Sequence, residues 1–458
     1  MAKRPVTAKK TLSAANLAAL GVDRLADLLI EVGAGDAGWK RRLRMELAAE
    51  VGAPDLAFEI DKRLTTLANG RARVSWRKRP ELLDDLRGLQ RMIVDRLTPL
   101  DAKLALDRLV MWFDLYPGLD ARVKDPKGEL ALLFDAASSD LATVASAAGP
   151  DVAGPVLGEA LQTRLSEWGA WIGRGAAGLD RGLASRLLTD LTAGRPRPTG
   201  RLALVVRKLA DRAGDLDAWI TALPDEEHRK PEVGAEIARR LAQAGRAVEA
   251  RTALEASRPV APEAVRWGRA REAAPPPPPD VWLTAEIAVL DAEGRAAEAV
   301  SARWMLFERT LAEAPLREVI AGLPDFEDVV ALDRAHAHAA AFPDATKGLA
   351  FLMGWPAHRE AATMVMSRSG EIRGSTDDVP LWAARLEGRY PVAALLLVRA
   401  RARALARLAG GLTDEVQSLI AEAAVLGATS DVDDDIPDHA AFVTELEAIV
   451  APQRRGWR

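Results

Sequence analysis

The 458-residue chain contains no cysteine, and only 2 Tyr, 8 Phe and 5 His. Without thiols there is no disulfide framework, no thiolate catalysis and no zinc or iron–sulfur site that depends on sulfur. Long apolar runs are also missing. The best, "PVAALLLV" at 391–398, falls well short of the roughly 18 residues that a membrane-spanning helix needs. The opening "MAKRPVTAKKTLSAANLAALG" is basic but carries no uninterrupted apolar core and no cleavage-site pattern, which argues against a secretory signal. β-branched runs are short, and no alternating apolar–polar stretch of useful length competes for a sheet. These absences describe a soluble, cytoplasmic chain with no membrane partner and no sulfur-held cofactor.

What is present favours helix. Apolar residues make up 49% of the chain and charged residues 28%, a globular rather than a disordered balance. Ala, Leu, Arg, Glu and Asp dominate, all but Asp being good helix formers. Twelve Trp supply the aromatic bulk and are expected mostly as core anchors. Gly, Pro or Asp-rich turns punctuate the sequence every 15–25 residues, and between them apolar residues recur at three- and four-residue steps. Helices are expected near 40–51, 55–67, 80–96, 128–146, 152–172, 180–193, 200–212 and 232–244. Another should start at Thr98-Pro99, with Thr as cap and Pro in the first turn, and bury Leu106, Leu109, Val110 and Phe113. The fold class is all-α, an α-solenoid-like array of antiparallel helix pairs.

Residues 241–250 read "LAQAGRAVEA" and 290–299 read "LDAEGRAAEA", sharing Leu, Gly-Arg-Ala and Glu-Ala at identical internal spacing. A fainter copy is "RLEGRYPVAA" at 385–394. In each, Gly245, Gly294 or Gly388 would end one helix, and a small residue five positions on would let the next helix approach. This grammar resembles the bend of tetratricopeptide-like hairpins, although the 49-residue offset is not that family's 34-residue period. Five prolines in "EAAPPPPPDVW" (272–282) favour an extended spacer, with a ligand for a proline-binding module as the alternative. The expected organisation is an N-terminal block over 1–126, hairpins over 127–272, a spacer over 273–281 and C-terminal helical repeats over 282–458.

Several patterns mimic known sites and fail on their spacing. "GRGAAG" (173–178) satisfies G-x-G-x-x-G but follows an amphipathic helix rather than a strand, so it reads as a helix–helix connection. His336 and His338 lie two apart, which turns their rings to different sides of a helix. "DVDDDIPDH" (431–439) has the alternating acids of a calcium loop, but Ile436 stands at its sixth position and Phe442 at its twelfth. No serine sits in a nucleophile elbow and no carboxylate pair is marked by its surroundings. An enzyme assembled from residues distant in sequence stays open.

The basic N-terminal stretch is the candidate binding site. Residues 1–100 carry 19 Lys/Arg against 13 Asp/Glu, whereas 371–450 carry 7 against 14. Lys40, Arg41, Arg42 and Arg44 cluster together, and Arg71, Arg73, Arg77, Lys78 and Arg79 flank Trp76. Basic groups interleaved with an aromatic suit phosphate contacts and base stacking. They equally suit an acidic protein partner, or a solvated turn anchored by a buried Trp76. A second set, Arg399, Arg401, Arg403 and Arg407, is expected on a solvated helix face.

The segments "LSAANLAALGVDRLADLLIEV" (12–32), "KRRLRMELAAE" (40–50), the run from Leu323 to Val365, "YPVAALLLVRA" (390–400) and "HAAFVTEL" (439–446) resemble an uncharacterised proteobacterial family of helical proteins. Related helical regions accompany some SWIM zinc-finger proteins. The resemblance implies a helical architecture. It brings no catalytic motif, and because the zinc-binding cysteines are absent no metal site comes with it. The leading expectation is a non-catalytic scaffold for an unidentified protein or peptide. Nucleic-acid binding by the basic helices is the rival.

Overall fold

The structure is a computed structural model that describes residues 12–260, 276–430 and 436–451. Every regular element among them is helical, apart from one isolated parallel bridge between Val74 and Val123. Helices pack mostly on their chain neighbours, as an all-α array requires. The contacts divide the chain into two compact units, Met1–Asp225 and Glu226–Arg458. Of the Asp-rich 431–439 segment, 431–435 lie outside the described residues, as do 261–275, which hold the start of the proline spacer.

The first unit is centred on an aromatic cluster. Trp112 stacks on Phe134 with ring centroids 4.2 Å apart, and Phe113 leans on Trp171 at 4.7 Å. Two of the buried indole N–H groups have clear partners. Trp112 Nε1 donates to the Leu86 carbonyl at 3.1 Å, and Trp168 Nε1 to the Asp114 carboxylate at 3.1 Å. The expected Thr98 cap is displaced. Asp101 caps the helix Ala102–Phe113 by accepting the Leu104 amide at 2.9 Å, while the Thr98 hydroxyl donates back to the Ile93 carbonyl at 3.0 Å. Two expected single helices are each broken. Residues 128–146 become Glu129–Ala136 and Ser138–Ala148, and 152–172 become Pro150–Thr163 and Leu165–Gly175. At the second break Arg164 takes φ −145°, and its guanidinium reaches Asp114. That tertiary ion pair is invisible to local periodicity. Glu129–Ala148 is the one described helical stretch with the length and apolarity of a membrane span, and half of it is buried inside the protein.

"GRGAAG" ends the helix Leu165–Gly175 and runs into a 3₁₀ turn, as expected of a connection. Its glycine matters for packing rather than for phosphate. A Cβ on Gly175 would lie 2.4 Å from the Ser138 carbonyl oxygen.

In the second unit the two hairpin copies adopt the same turn. Gly245 has φ +76° and Gly294 φ +74°. In the first, Arg246 N–H reaches the Leu241 carbonyl at 2.9 Å and Gly245 N–H the Ala242 carbonyl at 3.0 Å; in the second, Arg295 reaches Leu290 at 3.0 Å and Gly294 reaches Asp291 at 3.0 Å. This paired arrangement satisfies the last carbonyls of a helix and requires a left-handed residue. Ala250 and Ala299, five residues on, are fully buried where the next helix crosses. The third copy ends differently, because Gly388 keeps a helical φ of −65° and the chain turns at Tyr390-Pro391 instead.

The apolar run at 391–398 opens the helix Pro391–Ala409, which is packed by Val379–Glu387, His358–Arg368, Asp414–Thr429 and His439–Val450. Being enclosed, it has few polar positions to spare. This overturns the solvated-face reading of its arginines. Arg399 is only 2% exposed, donates to the Pro437 carbonyl at 2.7 Å and lies over the Phe442 ring at 5.0 Å. Burial pushes its guanidinium below the ordinary range. Arg403 forks onto Glu445 at 2.8 Å through each nitrogen, and of the four only Arg407 is exposed.

Candidate functional site

The basic residues fall on two elements held side by side. Lys40, Arg41, Arg42 and Arg44 sit on the helix Ala37–Val51, which Asp36 caps by accepting the Gly38 and Trp39 amides at 2.6 and 3.1 Å. Most of this cluster is already neutralised. Arg41 pairs with Asp85 at 3.1 Å, Arg42 with Glu46 at 3.2 Å and Arg44 with Glu59 at 3.4 Å. The Lys62 ammonium, 2.6 Å from Glu59, is the main group holding that carboxyl below its ordinary range, with Arg44 adding to it. Lys40 is exposed and makes no ion pair among the described residues.

Arg71, Arg73, Trp76, Arg77 and Lys78 occupy the loop that leads into the helix Arg79–Arg91. The loop is pinned rather than loose. Val74 N–H donates to the Arg122 carbonyl at 3.0 Å and Lys124 N–H to the Val74 carbonyl at 3.3 Å, while the Arg122 guanidinium returns to the Leu67 carbonyl at 2.8 Å. Arg79 belongs to this scaffold. It lies 2.9 Å from Glu129 and donates to the Lys124 carbonyl at 3.0 Å. Arg71, Arg73 and Lys78 are exposed and unpaired among the described residues. Trp76 is 63% exposed, with the Arg77 guanidinium 5.2 Å from its ring, so it is not the buried anchor that one reading of the sequence allowed.

Between the helices Ala37–Val51 and Arg79–Arg91 lies a groove of about 660 Å³. Arg41, Arg42 and Arg77 line it, but so do the carboxylates of Asp36, Glu81, Asp84 and Asp85. Its apolar wall includes Trp39, which is 52% exposed. Trp39, Leu43, Leu47 and Val51 follow at four-residue steps along one helix, a stripe that the basic residues around it obscure in the sequence. Charge clustering therefore identified the wall of the groove, and missed both the aromatic in it and the acids opposite.

A family model matches residues 7–168 and, separately, 159–457. The chain belongs to DUF6880, a family of unknown function. No curated protein and no solved structure matches it. Membership in DUF6880 covers the groove and both compact units, and it assigns no role to any residue. The two closely spaced histidines differ in their surroundings, and His336 Nε2 is buried without a hydrogen-bond partner among the described residues. His338 Nε2 shares a hydrogen bond with the Glu308 carbonyl at 2.7 Å, and burial holds the His336 imidazole below its ordinary pKa. No group of three His, Asp or Glu among the described residues is placed to hold a metal ion.

Proposed function

We propose that the protein is a non-catalytic interaction module that binds a peptide segment of a protein partner in the groove between the Ala37–Val51 and Arg79–Arg91 helices. The observation that carries this reading is the mixture of groups in one concave surface: an exposed Trp39, three arginines and four carboxylates. Half-exposed Trp and Arg side chains are the residue types that dominate binding energy at protein interfaces. A phosphate backbone would meet Glu81 and Asp84 at close range, whereas a peptide with an apolar anchor and a basic flank would satisfy the unpaired Glu81 and cover Trp39. The tetratricopeptide-like turns at Gly245 and Gly294, and a cytoplasmic setting for a chain without cysteine, are parts of the same proposal.

Display of a random peptide library against the purified chain tests it. Selected peptides should lose about 2 kcal/mol of affinity, roughly thirtyfold, with Trp39→Ala. Glu81→Lys should weaken basic peptides specifically. Selection that enriches nothing over an unrelated control, or ligands indifferent to both changes, would remove the reading.

A second reading rests on the pinned loop, whose unpaired Arg71, Arg73 and Lys78 surround an exposed Trp76. It expects retention of single-stranded nucleic acid that weakens as salt rises. Replacing those three cations with Ala should reduce the salt slope by about 2. The same triple variant should leave peptide binding at Trp39 intact, which separates the two readings.

A further inference from the structure

The segment 369–375, "SGEIRGS", and the second half of the Pro391–Ala409 helix enclose a groove of about 770 Å³ in the second unit. The loop is held in one shape from its inner side. A Cβ on Gly374 would lie 2.0 Å from the Ala400 carbonyl oxygen, so only glycine allows this approach. Arg401 donates to the Gly374 and Thr376 carbonyls at 3.3 and 3.2 Å. The Arg373 amide donates to the buried Thr346 hydroxyl at 2.7 Å. The carbonyl of Gly374 is thereby committed to Arg401.

Several polar groups of the groove are unpartnered among the described residues. The Ser369 and Ser375 hydroxyls, the Gly374 and Ser375 amides and the Arg407 guanidinium make no hydrogen bond or ion pair among the described residues. The nearby acids are already taken. Glu371 pairs with Arg368 at 2.5 Å, Glu445 receives the fork of Arg403 at 2.8 Å, and Asp344 holds Arg373. Arg407 adds to the field that keeps Glu445 ionised, behind the hydrogen bond from Arg403, and remains the unpaired cation of the wall. Ser369, Gly374, Ser375 and Arg407 line one hollow, and peptide amides, hydroxyls and a guanidinium are the chemistry of a phosphate site. Ile372, Ala404 and Leu408 add apolar surface beside them, and the volume falls within the roughly 300–1,000 Å³ of small-molecule pockets.

We propose that this groove binds a small phosphorylated molecule, with its phosphate monoester held by Arg407, the Ser375 hydroxyl and the Gly374 and Ser375 amides, and its carbon skeleton against Ile372 and Leu408. The site is independent of the peptide groove and lies wholly within the other unit. The dianion is the bound form, so affinity rises as pH passes upward through the second phosphate pKa near about 6.

Calorimetric titration of the full chain with inorganic phosphate and with glycerol 3-phosphate tests the assignment. Both should bind saturably, and the ester more tightly. Arg407→Gln should weaken binding roughly ten- to a hundredfold, and Ser375→Ala by about fivefold. Arg407→Lys should recover part of the loss, because it restores charge without the guanidinium fork. Arg385→Gln, an exposed arginine outside the groove, should change nothing. Absence of saturable binding by either probe overturns the proposal. So does equal weakening by Arg385→Gln, which would mark diffuse attraction. A parallel arm uses phosphatidylcholine vesicles doped with phosphatidic acid. Binding to these without binding of glycerol 3-phosphate would assign the groove to a lipid surface and overturn the soluble ligand.

Discussion

Gly245 and Gly348 demand glycine for different reasons, and substitution at each should fail differently. Gly245 sits at φ +76° with nothing within 4 Å of where a Cβ would be. Its cost on substitution is purely conformational. An L-residue in the left-handed region loses about 1–2 kcal/mol, offset by about 0.4–1 kcal/mol from a stiffer unfolded chain. Gly245→Ala should therefore cost about 1 kcal/mol, and Gly245→Asn less, since Asn tolerates that region. Gly348 has an ordinary helical backbone, but its Cβ would lie 2.2 Å from the Ala339 carbonyl oxygen on the neighbouring helix Glu327–Ala340. The obstacle is backbone, so the helices themselves must part. Gly348→Ala should reach the top of the overpacking range, about 3 kcal/mol, and Asn should be worse than Ala there because it is larger. Urea unfolding followed by far-UV circular dichroism measures both series. If Asn were no better than Ala at 245, or if Ala cost the same at both positions, the division into a turn glycine and a packing glycine would be wrong.

Three further outcomes follow from buried and paired groups. Trp112→Ala removes a fully buried ring, its stack on Phe134 and the bond to the Leu86 carbonyl, and should cost about 3–5 kcal/mol in denaturant melts of the first unit. Arg399→Met should lie within about 1 kcal/mol of the native chain or above it in stability, whereas Arg399→Ala should be clearly destabilised, because a buried cation is replaced well by an apolar side chain of similar length but poorly by a cavity; melting temperatures of both variants decide it. Two of the shifted groups illustrate the acid limb of stability. His336 stays neutral in the fold below its ordinary value of 6.5, with Asp333, Glu360 and Arg359 around it, so the unfolded chain takes up that proton first and stability falls as pH drops below 6.5. Glu293, held below its ordinary 4.5 chiefly by the Arg251 fork, stabilises above that value and loses its contribution as pH falls through the lower folded one. His336→Gln should flatten the first limb and Arg251→Gln the second in melts run across pH.

Much of the helical architecture was readable because its causes are local. The turns at Gly245 and Gly294 depend on a residue that tolerates positive φ followed by a small one, and both requirements lie within ten consecutive residues. The connection at 173–178 was legible for the same reason, since what precedes it is plainly a helix. The breaks at Ala137 and Arg164 were not, because periodicity runs through them and the Arg164 interruption coincides with a contact to Asp114, 50 residues away. The candidate site was half legible. Basic clusters stand out in a sequence, but their neutralisation by Asp85 and Glu59 depends on which helix lies opposite.

The sequence by itself determined that the chain is helical, roughly where several of its helices lie between residues 40 and 244, and that thiol chemistry is absent. Those properties follow from composition, 3.6-residue periodicity and capping, which act over a few residues. Only the tertiary structure decided which charges remain free. It turned Trp76 outward and Arg399 inward, gave Arg41, Arg42 and Arg44 carboxylate partners, and lined one groove with Arg407, Ser375 and Gly374. Burial and pairing depend on helices brought together from distant parts of the chain, and no window along the sequence contains them.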